Sequence, residues 1–323
     1  MSVLLAAPGL LGPLPRGAGA GQVPRPRRLE TLLSRATTGP APRSLAGTLF
    51  ECFAVAPTLG GSAACSYLAE TGEPPPGWAC HADPVHLVAD QDRVLLFDLP
   101  NDPLSAADAE EMLGTFNRHF AEDGLRLAVT PAGGWFVLAE RRPDVAFHDL
   151  DEVVGRSLDP FLPEGSAAGA WRRFLTETQM LFHGLACNAR REAEGCLPVS
   201  GLWFSGGGEL PEIAAPASVS RAAGPGSLLA GLCKLAQVPL TSNSEVLREG
   251  GLLLFDDARR PVLEADPRNW AAAVERFEGV LGEASGAHLV LSPCNGQRYE
   301  LLPGHRWRWW RRRRELAAFL EPT

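Results

Sequence analysis

The stretch CNARREAEGCLPVSGLWFSGGGELP, from Cys187 to Pro211, joins a polar segment to a short apolar run and three consecutive glycines. Asn188 and Arg191 are three residues apart, so they share a face if the segment is helical. The apolar run Leu202–Phe204 predicts a buried strand, and the backbone N–H groups of Gly206–Gly208 are open to close approach by an anion. Spacing alone leaves two interpretations: a phosphate or carboxylate site, or a helix, a strand and a turn without a ligand. The second is favoured, because a glycine triplet is less specific than a complete phosphate-loop motif.

Composition indicates a soluble globular protein that is large enough for two domains. Its 323 residues are 45% hydrophobic and 21% charged, and the formal net charge of -8 argues against general nucleic-acid binding. The seven cysteines include no C-x-x-C pair, which argues against a disulfide framework and a structural zinc site. No apolar run reaches the roughly 18 residues of a spanning helix, and Pro8 interrupts the N-terminal apolar stretch. We therefore expect neither a transmembrane segment nor a signal peptide, and predict a cytoplasmic protein.

Hydrophobic patterning predicts a mainly parallel α/β sheet and a distinct α+β unit. The apolar run Val3–Ala7 predicts a buried parallel strand, and strands alternate with helices after residue 227. Between Trp78 and Glu140, a hairpin, a helix and a second hairpin follow one another, which is typical of an α+β unit. Together with the family resemblance described next, this pattern predicts an α/β core built from residues 1–77 and 211–323, with an inserted α+β domain at residues 78–210.

A family resemblance rests on the pattern N-x-x-R-x-x-x-G-x-x-P followed by W-x-x-G-x-G, which is carried by Asn188, Arg191, Gly195, Pro198, Trp203, Gly206 and Gly208. This pattern resembles the central region of the archaeal-type cofactor-independent phosphoglycerate mutases, in the alkaline phosphatase-like superfamily. The segments ADPVHL and LWFSGGG also resemble those of short proteobacterial proteins labelled phosphoglycerate mutase or regulatory protein. The resemblance covers residues 78–210 and implies a reduced alkaline phosphatase-like, mainly parallel sheet with an inserted α+β domain.

The same resemblance implies two metal ions, held by Asp and His at the carboxyl ends of strands, and a serine nucleophile. In this chain Pro8-Gly9 follow the first strand, where the superfamily has an Asp. Ser292–Asn295 stand in place of a late Asp-His pair, and Ser200 replaces an Asn of the mutases. Two metal ions need several converging carboxylates and imidazoles. We therefore predict no metal ligands, no cofactor and no catalytic residues.

A separate H-x-D-x-x-H pattern, formed by His81, Asp83 and His86, raises the question of a different metal site. In a strand, residues 81 and 83 share a face and residue 86 lies on the other, unless Pro84 bends the chain. Hydrogen-bonded polar residues at a domain face are the favoured interpretation.

The strongly basic segment HRWRWWRRRRELAAFL, at residues 305–320, also has two interpretations. The favoured one is a last helix that packs Trp307, Trp310, Leu316 and Leu320 against the body and leaves Arg311–Arg314 solvated. In the other, residues 307–314 stack on single-stranded nucleic acid or lie on an anionic membrane.

Three functional hypotheses result. The favoured one is a catalytically silent, bacterial mutase-like protein with a regulatory role. It would bind a protein partner or a small phosphorylated or carboxylated ligand, the ligand at Asn188, Arg191, Gly206, Gly207 and Gly208. The alternatives are an active, metal-dependent phosphoglycerate mutase and a nucleic-acid or membrane-associated regulator that acts through residues 307–314. The ligand, the partner and the oligomeric state are left open.

Overall fold

A computed structural model describes residues 2–13, 23–56, 61–99, 104–213, 217–284 and 286–320. The chain divides into two compact units, the first formed by residues 1–57 and 213–323 and the second by residues 58–212. The second unit thus begins earlier in the chain than the predicted boundary at residue 78.

The strands, in chain order, are β1 (Ser2–Ala6), β2 (Thr37–Pro40), β3 (Trp78–Asp90), β4 (Arg93–Asp98), β5 (Leu125–Val129), β6 (Trp135–Ala139), β7 (Gly201–Gly208), β8 (Ala222–Ala223), β9 (Gly251–Leu254), β10 (His288–Ser292) and β11 (Gln297–Leu301). The α-helices are α1 (Arg27–Arg35), α2 (Leu45–Cys52), α3 (Ser62–Thr71), α4 (Ala106–His119), α5 (Leu150–Val153), α6 (Ala168–His183), α7 (Ala186–Ala193), α8 (Ser227–Ala236), α9 (Asn243–Glu249), α10 (Arg259–Leu263) and α11 (Pro267–Glu283).

The first unit holds a mostly parallel sheet, with the strand order β2-β11-β10-β1-β9-β8 in its described residues. β1 lies in the middle and pairs in parallel with β9 and β10, while β2 and β11 form an antiparallel edge. The apolar sequence of β1 suits this central place, since a parallel strand is covered on both faces. Trp270 and Phe277 of α11 and Leu29 of α1 are buried in the same hydrophobic core as Leu5 of β1. The predicted mixed α/β fold is confirmed.

The second unit is built on an antiparallel sheet, in which β3 pairs with β4, β6 and β7 and β5 pairs with β6. The two predicted hairpins and the helix between them are confirmed. Trp171 of α6 is the centre of an aromatic cluster that covers the sheet. Its ring centroid lies 5.3 Å from that of Trp78 and 5.0 Å from that of Phe204.

The C-terminal segment differs from its favoured interpretation. Two short 3-10 turns, at Pro303–Trp307 and Leu316–Ala318, take the place of the predicted α-helix. Trp307 is 79% exposed and Trp310 is 64% exposed, so the prediction that both rings are buried is wrong. Only the apolar end of the segment packs, with Leu316 fully buried and Leu320 partly buried against the core. Arg308 and Arg311 of the segment donate hydrogen bonds to the backbone carbonyls of Arg35 and Ala36, at the end of α1. These bonds hold the segment where intrahelical hydrogen bonds were expected.

Among the described residues, the structure contains no helix that is both long and apolar enough to cross a membrane.

Candidate functional site

The carboxyl ends of β1, β9 and β10 meet at one edge of the parallel sheet, where open α/β sheets usually bind their ligands. The residues that follow these strands are Ala7-Pro8-Gly9, Phe255-Asp256-Asp257 and Pro293-Cys294. Their side chains therefore decide which chemistry this edge can support.

The turn after β1, at Ala7–Gly9, packs closely against neighbouring segments of the chain. The Ala7 N–H donates to the Ser292 carbonyl over 2.9 Å, and the Trp270 indole N–H donates to the Gly9 carbonyl over 3.1 Å. Gly9 has a positive φ of 74°, and a Cβ placed there would lie 2.8 Å from the Ala258 carbonyl oxygen. The turn is thus in direct contact with the segment before α10, which explains the need for glycine at this position.

The end of β10 presents neutral groups. The hydroxyl oxygens of Ser292 and Thr48 lie 3.4 Å apart in a buried setting. Burial raises the pKa of the Cys294 thiol to about 11 and that of the Cys52 thiol to about 12. Both thiols are therefore protonated at neutral pH and are poor nucleophiles, because the thiolate is the reactive form. Ser292, Thr48 and Cys52 also line a cavity of about 40 Å³, which holds a few water molecules but not a three-carbon phosphate ester.

Asp256 and Asp257 are the two carboxylates that sequence reasoning missed at this edge. A pair of acidic residues directly after the apolar run of β9 is a readable signal, since parallel strands end at the same edge of their sheet. Asp256 lies 3.7 Å from the Arg259 guanidinium, and Asp257 accepts from Arg276 over 2.6 Å. Both carboxylates are engaged in ion pairs.

These donors do not fit the two metal ions that the family resemblance implies. Across the described ranges from residue 2 to residue 320, no three His, Cys, Asp or Glu side chains are grouped so that they could hold a metal. At the carboxyl edge, the donor set consists of hydroxyls, protonated thiols and two arginine-paired carboxylates, whereas hard or borderline cations prefer converging oxygen and imidazole ligands.

The H-x-D-x-x-H residues lie along β3. The ring of His81 packs against Phe136 at a centroid distance of 5.0 Å. His86 lies with its Nδ1 atom 2.9 Å from the Pro198 carbonyl oxygen, and its ring is also 3.4 Å from the Ser200 hydroxyl. The hydrogen bonds of His86 are those expected of a polar residue bonded within the second unit, and His81 makes a ring contact there.

Asn188, in α7, is buried and makes three hydrogen bonds. Its amide donates to the carbonyls of Phe182 and Val199, over 2.8 and 2.9 Å, and its carbonyl accepts from the Val199 N–H over 2.8 Å. The side chain thereby ties the end of α6 to the segment that leads into β7.

Arg191 is 3% exposed and donates through Nε to the Leu197 carbonyl over 3.0 Å. The preceding Arg190 is directed elsewhere, to the carboxylates of Asp108 and Glu111. Both arginines thus hold parts of the second unit together, and the turn after α7 depends on Arg191.

Neighbouring residues lie so close to Gly206 and Gly207 that these positions have no room for a side chain. A Cβ on Gly207 would lie 2.5 Å from the Trp78 ring, and one on Gly206, whose φ is 60°, would collide with the Ser62 hydroxyl. Gly61, at the start of α3, approaches Gly208 so closely that its own Cβ would lie 2.6 Å from the Gly208 Cα. The glycines let α3 and Trp78 contact the backbone of β7 directly.

The structure does not bring the five predicted ligand-binding residues together. Asn188 bonds to Val199, just before β7 begins, whereas Gly206–Gly208 form its other end. At about 3.3 Å per residue, Val199 and Gly206 are separated by roughly 20 Å of strand. Ligand binding by these residues stays a prediction, and the structure supplies a packing role for each of them.

Comparison with known proteins gives matches among solved structures. No family model and no curated protein matches the chain. It is similar to a cofactor-independent phosphoglycerate mutase from Thermoplasma acidophilum, at 14% identity and a TM-score of 0.39, over 94% of this chain and 90% of the other. It is also similar to the PH0037 protein from Pyrococcus horikoshii, at 14% identity and a TM-score of 0.50, over 93% and 86% of the two chains. Matches at this identity concern the fold alone, and the first TM-score is too low to carry an argument.

Proposed function

We propose that this protein is a catalytically silent, mutase-like protein that binds a small phosphorylated or carboxylated ligand without converting it. One observation carries the proposal. At the ends of β1 and β10, the packed Pro8-Gly9 turn and the neutral side chains of Ser292 and Cys294 stand where the chemistry implied by the sequence motif requires metal ligands. A regulatory role follows if ligand binding is retained while turnover is lost.

Metal-assisted phosphoryl transfer needs cations that stabilise the attacking and leaving oxygens, together with an activated nucleophile. The Ser292 hydroxyl would need a general base to become a nucleophile. Its neighbours are the Thr48 hydroxyl and the Cys294 thiol, which keeps its proton at neutral pH, and neither group is a general base. Asp256 and Asp257, engaged by arginines, are held as ion pairs at this edge. The edge therefore favours structural packing over catalysis.

The direct test is turnover together with metal content. Protein purified without chelator is expected to hold less than one Mn, Mg or Zn ion per chain by elemental analysis. We expect no conversion of 3-phosphoglycerate to 2-phosphoglycerate, with or without added Mn²⁺, in an assay in which an active mutase serves as the positive control. Two bound metals per chain together with turnover would contradict the proposal.

The exposed tryptophans favour a second candidate function, association of residues 307–314 with single-stranded nucleic acid or an anionic membrane. Trp307 and Trp309 are each 79% exposed, beside a run of arginines. Indole rings stack on bases and also lie at membrane interfaces, while arginines bind phosphates.

Changing both Trp307 and Trp310 to alanine separates this candidate from a packing role. Because both rings are exposed, the free energy of unfolding should change by no more than about 1 kcal/mol, as at other surface sites. Binding to a single-stranded oligonucleotide or to anionic vesicles, if it occurs, should weaken in the variant and fall with added salt. A stability loss of about 3 kcal/mol or more would show that the rings are core residues after all.

A further inference from the structure

The C-terminal segment and the end of α1 line a surface cleft of about 270 Å³ in the first unit. Two guanidinium groups, those of Arg311 and Arg314, line it from the C-terminal segment. Ser34, Thr37 and Thr38 line it from α1 and β2. None of these lining residues belongs to the carboxyl ends of β1, β9 and β10 or to the mutase-like motif.

Both arginines make contacts within the first unit that limit their positions. Arg311 donates to the Ala36 carbonyl over 2.8 Å. The backbone N–H of Arg314 donates to the Ser34 hydroxyl over 2.9 Å, and its guanidinium lies 4.9 Å from the centroid of the Phe319 ring. A guanidinium has five N–H donors, and the side-chain hydrogen bonds among the described residues use one on each arginine. The other N–H groups of each guanidinium can donate to a ligand.

The charge around the cleft favours an anion. No carboxylate is among the residues that line it. The nearby Glu30 is buried and bound by Arg25 and Arg313, and Glu315 is bound by Arg25. Arg312 adds a further exposed positive charge on the same segment.

We propose that this cleft binds a phosphate group, carried by a small phosphomonoester or by a lipid headgroup. Two planar guanidinium forks beside hydroxyl-bearing residues match the several acceptor oxygens of a tetrahedral phosphate better than the two of a carboxylate. The volume is at the small end of ligand pockets, which suits a headgroup-sized molecule. This inference extends the proposed function, since it gives an anionic ligand a site that the mutase-like motif does not provide.

The experiment titrates the full-length protein with inorganic phosphate and with glycerol 3-phosphate by calorimetry. A second arm measures sedimentation with phosphatidylcholine vesicles, with and without phosphatidic acid. We expect binding in at least one arm, and we expect Arg311→Ala and Arg314→Ala each to weaken it roughly tenfold or more, because each removes charge-assisted hydrogen bonds. Soluble binding identifies a free phosphomonoester as the source, and binding only to phosphatidic acid vesicles identifies a headgroup.

Arg312→Ala is the matched control, since it removes the same charge from the same segment but lines no part of this cleft. It should change affinity by no more than about twofold, as expected for a screened surface charge. Arg314→Lys keeps the charge without the planar fork and should lie between wild type and Arg314→Ala. Absence of binding in both arms, or an equal loss in Arg312→Ala, overturns the inference. Neither outcome bears on turnover, which the metal and activity assays decide separately.

Discussion

Asn188→Ala is expected to lower the free energy of unfolding of the second unit by about 3–5 kcal/mol. The substitution leaves the carbonyls of Phe182 and Val199 and the N–H of Val199 without their buried partner. Each unpaired buried group costs about 1–3 kcal/mol, and partial relaxation of the segment before β7 keeps the sum below the maximum. Urea titration followed by tryptophan fluorescence measures the effect, because Trp171 and Trp203 are buried in the same unit.

Asn117 provides a control with the same chemistry at a less buried place. Its side chain also clamps one backbone residue, donating to the Leu127 carbonyl over 3.0 Å and accepting from the Leu127 N–H over 2.7 Å. Since water can replace part of these bonds, Asn117→Ala should cost only about 1–2 kcal/mol. If Asn188→Ala leaves stability intact but abolishes anion binding, Asn188 is a ligand-binding residue, as the motif resemblance implies, and the packing role argued from its hydrogen bonds is wrong.

Glu30→Ala is expected to destabilise the first unit by about 2–4 kcal/mol. The Glu30 carboxylate is completely buried and accepts from Arg25 over 2.6 Å and from the Leu316 N–H over 3.2 Å, with Arg313 at 3.3 Å. Its removal leaves the Leu316 N–H buried without an acceptor. Arg25 and Arg313 are about half exposed and regain water, so the loss stays below that of a fully buried pair.

Limited proteolysis should cleave the C-terminal segment of Glu30→Ala faster than that of the wild type. The reason is that the segment loses the carboxylate that binds it to α1. Glu315→Ala is the matched control. Glu315 also pairs with Arg25, but its side chain is 65% exposed, so its loss should cost less than about 1 kcal/mol. Equal effects of the two substitutions would mean that the burial of Glu30 does not determine its contribution.

Much of the fold could be predicted from the sequence, because the relevant signals are local. The apolar run of β1 and the polar turn between β3 and β4 each specify their structure within a few residues. The Ser105 hydroxyl accepts a hydrogen bond from the Asp108 N–H and so caps the start of α4. β2 and α3 were missed for the opposite reason. The sequence TTGP of β2 becomes a strand only by pairing with the distant β11, and the small residues of α3 show no marked apolar face.

The candidate sites were less predictable, because they depend on contacts between distant segments. Spacing alone left open an anion site beside the favoured helix, strand and turn without a ligand. In the structure Arg191 is directed to the Leu197 carbonyl, and Gly208 lies against the backbone of Gly61. The phosphate cleft pairs Arg311 with Thr37, residues from opposite ends of the chain. The sequence shows a run of basic arginines. It does not show which distant residues line a cleft together with them.

The central place of β1 also determines the order in which the protein can form during synthesis. Ser2–Ala6 are synthesised well before both neighbours of this strand, because β9 and β10 lie beyond residue 250. At roughly 5–20 residues per second, the nascent strand waits about 10–60 s for its partners. The second unit, a continuous segment from residue 58 to residue 212, is complete long before then. The apolar strand β1 is thus without its sheet partners during that interval, which makes it an aggregation-prone segment of the nascent chain.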